Sequence, residues 1–200
     1  MTDREAAIAA AVRALQRGEL AVFPTETLYG IGCDALDGDA LARLLAVKQR
    51  PQEKGIAVIL ADVAMLDAVA ASVSEPARRL AERFWPGPLT LLFPARAGLP
   101  EPLVVAGKVA ARVSSDPVAR ALARGLGRPI AAPSANPGGD PPARDVSQAR
   151  AYFGDAVAAY VDAGDVVGPP STLADPGPPL RILREGAIAG RAVAEALAAG

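Results

Sequence analysis

Short apolar runs alternate with stretches of helical periodicity along the whole chain, and this pattern constrains the fold more than any other feature. Runs such as Ile56–Leu60 are apolar at every position, as a strand covered on both faces requires. No run approaches the ~20 uninterrupted apolar residues of a membrane span. Interleaved strands and helices predict an α/β fold with a twisted mixed sheet and flanking helices. The 200 residues suggest one domain over 1–200, and at 51% apolar they can fill its core.

Helices are expected over 3–17, where Thr2 and Glu5 form a capping box, and over 39–47. Asp62 and Ser74 each cap a further helix, and Asp116-Pro117 opens one that stops near Gly125. Two more are expected over 145–153 and 187–199. Strands are expected over 20–23, 56–60, 89–93, 109–113, 130–132, 157–161 and 180–183. The Gly/Pro-rich segments 133–142 and 164–179 read as irregular functional loops.

Composition excludes several chemistries. With no histidine, catalysis by an intrachain Ser-His-Asp or Cys-His set is impossible. A single cysteine, Cys33, allows neither a disulfide framework nor a multi-cysteine metal site, and a reducing, cytoplasmic setting is expected. A net charge of −1 supplies no bulk drive toward nucleic acid or anionic membrane. The first residues lack the apolar core of a signal peptide.

Polar groups concentrate in a few segments. Lys48-x-Arg50 ends a helix, where it could clamp phosphates or simply suit the helix dipole. Ser134-x-Asn136 follows a strand and could line an anion site or only shape a turn. Arg112 ends an apolar strand and needs a partner there, either a ligand carboxylate or a buried Asp or Glu. Gly30-x-Gly32-x-x-Ala35 matches a dinucleotide fingerprint, but no helix opens directly after it, so a Rossmann site is set aside. Trp85-Pro-Gly-Pro reads as a structural turn, and Cys33 as a small buried residue rather than a nucleophile.

Seven segments together resemble the YrdC/Sua5 family of threonylcarbamoyl-AMP synthases. They are Phe-Pro-Thr-Glu-Thr-Leu-Tyr-Gly-Ile-Gly (23–32), Lys-Gln-Arg-Pro-Gln-Glu-Lys-Gly (48–55), Trp-Pro-Gly-Pro-Leu-Thr (85–90), Ala-Arg-Val (111–113), Pro-Ser-Ala-Asn-Pro-Gly-Gly (133–139), Pro-Ser-Thr-Leu-Ala-Asp (170–175) and Leu-Arg-Glu-Gly-Ala-Ile (183–188). Their order is the family's, and the pattern is similar to that of the short bacterial synthases. The resemblance implies a YrdC-like sheet around a concave cavity. It implies an enzyme that joins L-threonine, bicarbonate and ATP into threonylcarbamoyl-adenylate with release of pyrophosphate. A separate threonylcarbamoyltransferase complex, met through transient contact, then modifies adenosine 37 of tRNA.

Carried over position by position, the resemblance implies that Lys48, Arg50, Ser134, Asn136 and Arg184 bind ATP, with Lys48 and Arg50 catalytic. It implies that Thr25, Arg112 and Ser171 bind threonine, and that Mg²⁺ arrives on the nucleotide rather than at a protein metal site. The chain departs from the family at Asp116, where a histidine is common, and near Leu60 and Pro141-Pro142. Asp116 is also a good helix cap ahead of Pro117. Two alternatives stay open: a paralogue acting on another carbamoyl-type substrate, and an RNA-binding module with weak tRNA affinity.

Overall fold

The computed structural model describes residues 2–49 and 55–198. Helix α1 (Asp3–Gln16) starts at the expected capping box: Thr2 Oγ1 accepts the Glu5 N–H, and the Glu5 carboxylate accepts the Thr2 N–H. Then follow β1 (Ala21–Phe23), β2 (Gly30–Asp34), α2 (Gly38–Lys48), β3 (Val58–Leu60), α3 (Glu75–Phe84), β4 (Leu89–Pro94), β5 (Val104–Val105) and β6 (Lys108–Val113). The remainder is α4 (Pro117–Leu126), β7 (Ile130–Ala131), α5 (Val146–Phe153), β8 (Ala159–Tyr160), β9 (Thr172–Asp175), β10 (Arg181–Arg184) and α6 (Gly190–Ala198). Among the described residues no helix is long and apolar enough to cross a membrane.

The strands form one mixed sheet in the order β10-β9-β4-β6-β3-β7-β2-β1-β8, with β5 paired to β6 beside this path. β3 runs parallel to β6, and β4 runs antiparallel to it. Strand alternation sorts the side chains into two cores. Val22, Val58, Leu60, Leu89, Leu91, Val109 and Ala111 join one core with residues of α2, α3, α5 and α6. Phe23, Ile59 and Ile130 point the other way, into a smaller core with Ala11 and Leu15 of α1 and Val118 and Leu122 of α4. The second face is therefore covered near β1, β3 and β7. Over β4, β6, β9 and β10 that same side borders a cavity, because Leu92, Ala110, Arg112 and Leu173 alternate with the buried positions.

Four expectations are corrected. Asp62 caps a 3₁₀ turn, Val63–Ala68, because six residues are too few to propagate an α-helix. Helix α4 runs to Leu126, one residue past the expected stop near Gly125, and its cap is Gly127 (φ 72°). Gly125 instead faces α1, where a Cβ would lie 2.7 Å from Val12 Cγ2. The segment 164–179 contains β9, which pairs with both β4 and β10; neighbours on both sides override the weak strand propensity of Ala174 and Asp175. Gly30 to Asp34, read only as a discounted fingerprint, is a fully buried strand.

Other local readings match the structure. Asp116 Oδ1 accepts the N–H groups of Val118 and Ala119 as the cap of α4. Trp85 packs 6.1 Å from the Phe93 ring centroid and donates to the Leu89 carbonyl at 2.6 Å. Cys33 is fully buried, and burial, with Asp34 and Asp37 adding to it, pushes its thiol well above the ordinary range.

Candidate active site

A cavity of about 560 Å³ opens on the half of the sheet face that α1 and α4 leave bare. Its walls come from six places: the loop after β1, the segment 55–59, the face of β4 and β6, the segment 103–106, the loop after β7, and the 170–184 hairpin with its approach. Thr25, Arg112, Ser134, Ser171 and Arg184 all line it. Residues 25, 112, 134, 171 and 184 lie far apart in the chain and meet here because their strands share one sheet.

Arg112 is the centre of the electrostatics. It sits near the end of β6, 8% exposed, with its guanidinium on the cavity wall. Its ion partner is Glu26, with Nε 3.8 Å from Oε1, which is the buried-acid alternative weighed for Arg112. That separation is too long for a hydrogen bond. Arg112 Nε and Glu26 Oε1 are both buried without a hydrogen-bond partner. Burial lowers the Arg112 pKa, Glu26 opposes this, and nearby Arg184 adds to it.

Two hydroxyl groups face the same space. Thr90 and Ser171 are hydrogen-bonded to each other, Oγ1 to Oγ at 2.8 Å. Arg184 donates to the Ser171 carbonyl from Nε (3.1 Å) and Nη2 (2.9 Å), and Nη2 also reaches Ser171 Oγ at 3.1 Å. This clasp needs Gly186: a Cβ there would stand 2.2 Å from the Pro170 carbonyl oxygen. Thr25 is committed to its own turn. Its hydroxyl donates to the Leu28 carbonyl (2.6 Å) and accepts the N–H groups of Thr27 and Leu28, which presents Thr25 and Thr27 to the cavity as a rigid pair.

Lys48 belongs to a different layer of the site. Its side chain is buried rather than on the cavity wall, and its ammonium donates to the carbonyls of Ser134 and Asn136 at 2.5 Å each. The Lys48 carbonyl accepts the Gly138 N–H at 2.7 Å, so the end of α2 and the 134–138 loop are tied at both ends. Within that loop Ser134 Oγ donates to Asn136 Oδ1 at 2.6 Å, and Asn136 Nδ2 donates to the carbonyls of Pro137 and Asp140. Asn136 is thus a brace for the loop, and Ser134 is its cavity-facing member. Arg50 lies outside the described residues.

Sequence reasoning missed a cluster on the cavity wall: buried Asp175 receives Lys108 Nζ at 2.7 Å and Arg181 Nη2 at 2.6 Å. Burial alone would raise the Asp175 pKa, but the two cations and the Gly177 N–H hold it below the usual range. It also passed over Glu26 and Thr90, whose signal was only their place beside Thr25 and Leu89 in recognisable segments. Among the described residues no group of three or more His, Cys, Asp or Glu is placed to hold a metal ion.

The sequence model of Sua5_yciO_yrdC, described as "Telomere recombination", matches residues 13–186. The chain belongs to the Sua5/YciO/YrdC family. A family protein of Mycobacterium tuberculosis is 40% identical over 98% of this chain and 91% of its own length. The threonylcarbamoyl-AMP synthase of Chromohalobacter salexigens is 42% identical over 84% of this chain and 91% of its own. Among solved family structures, P. abyssi Sua5 complexed with L-threonine superposes with a TM-score of 0.90 at 34% identity. That match covers 94% of this chain, which spans 56% of the longer Sua5.

Proposed function

We infer that this chain is a threonylcarbamoyl-AMP synthase, which makes threonylcarbamoyl-adenylate for the modification of tRNA. The observation that carries the reading is the Arg112 guanidinium: buried, on the wall of a cavity large enough for a nucleotide and an amino acid, and lacking a hydrogen bond at Nε. Glu26 offsets its charge from 3.8 Å without a hydrogen bond, so a buried guanidinium in this state still gains from an anion that hydrogen-bonds it. A planar guanidinium matches a carboxylate through two parallel N–H···O bonds. Arg112 therefore receives the threonine carboxylate, with Ser171 and the Thr25–Thr27 turn around the rest of the amino acid.

ATP takes the other wall. Arg184 and Ser134 face it, Asn136 and Lys48 hold the Ser134 loop in shape, and Arg50 completes the phosphate-binding set. Mg²⁺ enters as part of the nucleotide substrate. The threonine amine and bicarbonate combine to an N-carboxy group, with loss of water. One of its oxygens forms a bond to the α-phosphorus as the bond from that phosphorus to the bridging oxygen of pyrophosphate breaks. Negative charge grows on the phosphoryl oxygens, so fixed cations lower the barrier by electrostatics and positioning. No imidazole is needed for this step, which suits a chain without histidine. The product passes to a tRNA threonylcarbamoyltransferase in the cytoplasm.

The test is pyrophosphate release from ATP by the purified protein, with and without L-threonine and bicarbonate, with the adenylate detected by mass. Release that requires both co-substrates is expected. Saturable ATP binding without such release would overturn the reading and point to another carbamoyl-type acceptor. Salt-sensitive tRNA binding with no ATP chemistry would point to an RNA-binding module.

A further inference from the structure

We propose that Glu26, held by Ser114, is a positioning residue that orients Arg112 toward the substrate carboxylate; this rests on the reading of Arg112 given above. Arg112 lies near the end of β6 and Ser114 one residue past that end, and both side chains meet the Glu26 carboxylate. Ser114 is fully buried and donates its hydroxyl proton to Glu26 Oε2. Ser114 Oγ in turn accepts, at 3.2 Å, the N–H of Asp116, the N-cap of α4. One carboxylate oxygen is thereby fixed, and the other, Oε1, faces Arg112 Nε. Glu26 is not part of the cavity wall, whereas Arg112 is.

A guanidinium has a side edge, made by Nε and one Nη, and an end edge, made by both Nη groups. With Glu26 drawing the Nε side, the end edge is left for a ligand. At 3.8 Å the attraction is between charges rather than a hydrogen bond, and burial keeps it from being screened. Without the Glu26 charge the guanidinium could rotate among several orientations, and only a fraction of them would present the end edge. Glu26 touches no substrate; it acts through Arg112.

The experiment measures KM for threonine and for ATP in Glu26→Gln, Ser114→Ala, Arg112→Lys and the double variant Glu26→Gln/Arg112→Lys, with Arg112→Ala as the control for the underlying reading. Glu26→Gln keeps volume and polarity but removes the charge. It is expected to raise KM for threonine about tenfold or more with KM for ATP changed less than about twofold. Ser114→Ala, which leaves the charge in place, is expected to raise KM for threonine by about threefold. A lysine at 112 has no edge to orient, so in that background Glu26→Gln is expected to change KM for threonine by less than about twofold. An equal rise in both KM values, or the same factor in the Arg112→Lys background, would overturn the positioning role. If Arg112→Ala leaves threonine binding intact, the carboxylate reading fails and the inference with it. If Arg112→Ala weakens threonine and Glu26→Gln does not, the inference alone fails.

Discussion

At the scale of the residue, the site divides into groups that face the cavity and groups that hold those in place. Arg112, Ser134, Ser171 and Arg184 are of the first kind. Lys48 is of the second: its buried ammonium gathers two carbonyls of the loop that carries Ser134. A lysine at the end of a helix could equally have been read as a solvated charge suited to the helix dipole. Nothing in the local sequence announced that its partners would lie 86 and 88 residues away. Replacing it with methionine keeps most of the volume but leaves the two carbonyls without their donor. We expect Lys48→Met to cost about 1–3 kcal/mol of stability. ATP affinity, measured by titration calorimetry, should fall by about tenfold or more, while KM for threonine changes little. Unchanged ATP affinity would remove Lys48 from the nucleotide side of the site.

At the scale of the element, local signals were read well where capping chemistry is strong. Thr2, Ser74 and Asp116 cap their helices as expected, and Asp37 and Asp145, which the sequence reading did not name as caps, do the same: their oxygens accept N–H groups that the first turn cannot satisfy internally. Strand β9 was not read from the sequence, since Gly and Pro around it suggest a loop. It exists because β4 and β10 flank it, and its placement brings Ser171 to the cavity and Asp175 to Lys108 and Arg181. The hairpin end depends on Gly186. Gly186→Ala forces a methyl group against the backbone of 170–172, so it should loosen the Arg184–Ser171 clasp. A loss of about 1–3 kcal/mol and at least tenfold in activity is expected. Gly38→Ala is the control: no atom lies within 4 Å of the new methyl group at the start of α2, and stability should hold or rise slightly. Equal behaviour of the two variants would refute the close-packing argument.

At the scale of the whole molecule, among the described residues one sheet face is packed by four helices and the other by two, and the candidate cavity is the part left uncovered. The edge of that cavity is held by Asp175, which links β9 to β6 through Lys108 and to β10 through Arg181. Its folded pKa is depressed, so its contribution to stability is present above the unfolded pKa and disappears as pH falls through the folded value. Wild-type protein should therefore unfold at a higher temperature than Asp175→Asn at neutral pH. The gap should correspond to about 1–2 kcal/mol, because Lys108 and Arg181 both reach solvent. It should narrow as pH drops below about 4, the ordinary value for an aspartate. A gap that stays constant through this range would show that the charge of Asp175 is not what stabilises the edge.

By itself the sequence determined the α/β class, most helix starts, the burial of Cys33 and the identity of the polar segments. These follow from hydrophobic periodicity, capping chemistry and residue type, all of which act over a few neighbouring positions. Only the tertiary structure decided that Glu26 and Ser114 stand behind Arg112, that Lys48 ties the 134–138 loop, and that 172–175 is a strand. Each of these rests on a partner brought in by sheet pairing from a distant part of the chain. A one-dimensional pattern carries the side chains' chemistry, while register and layer packing choose which of them meet.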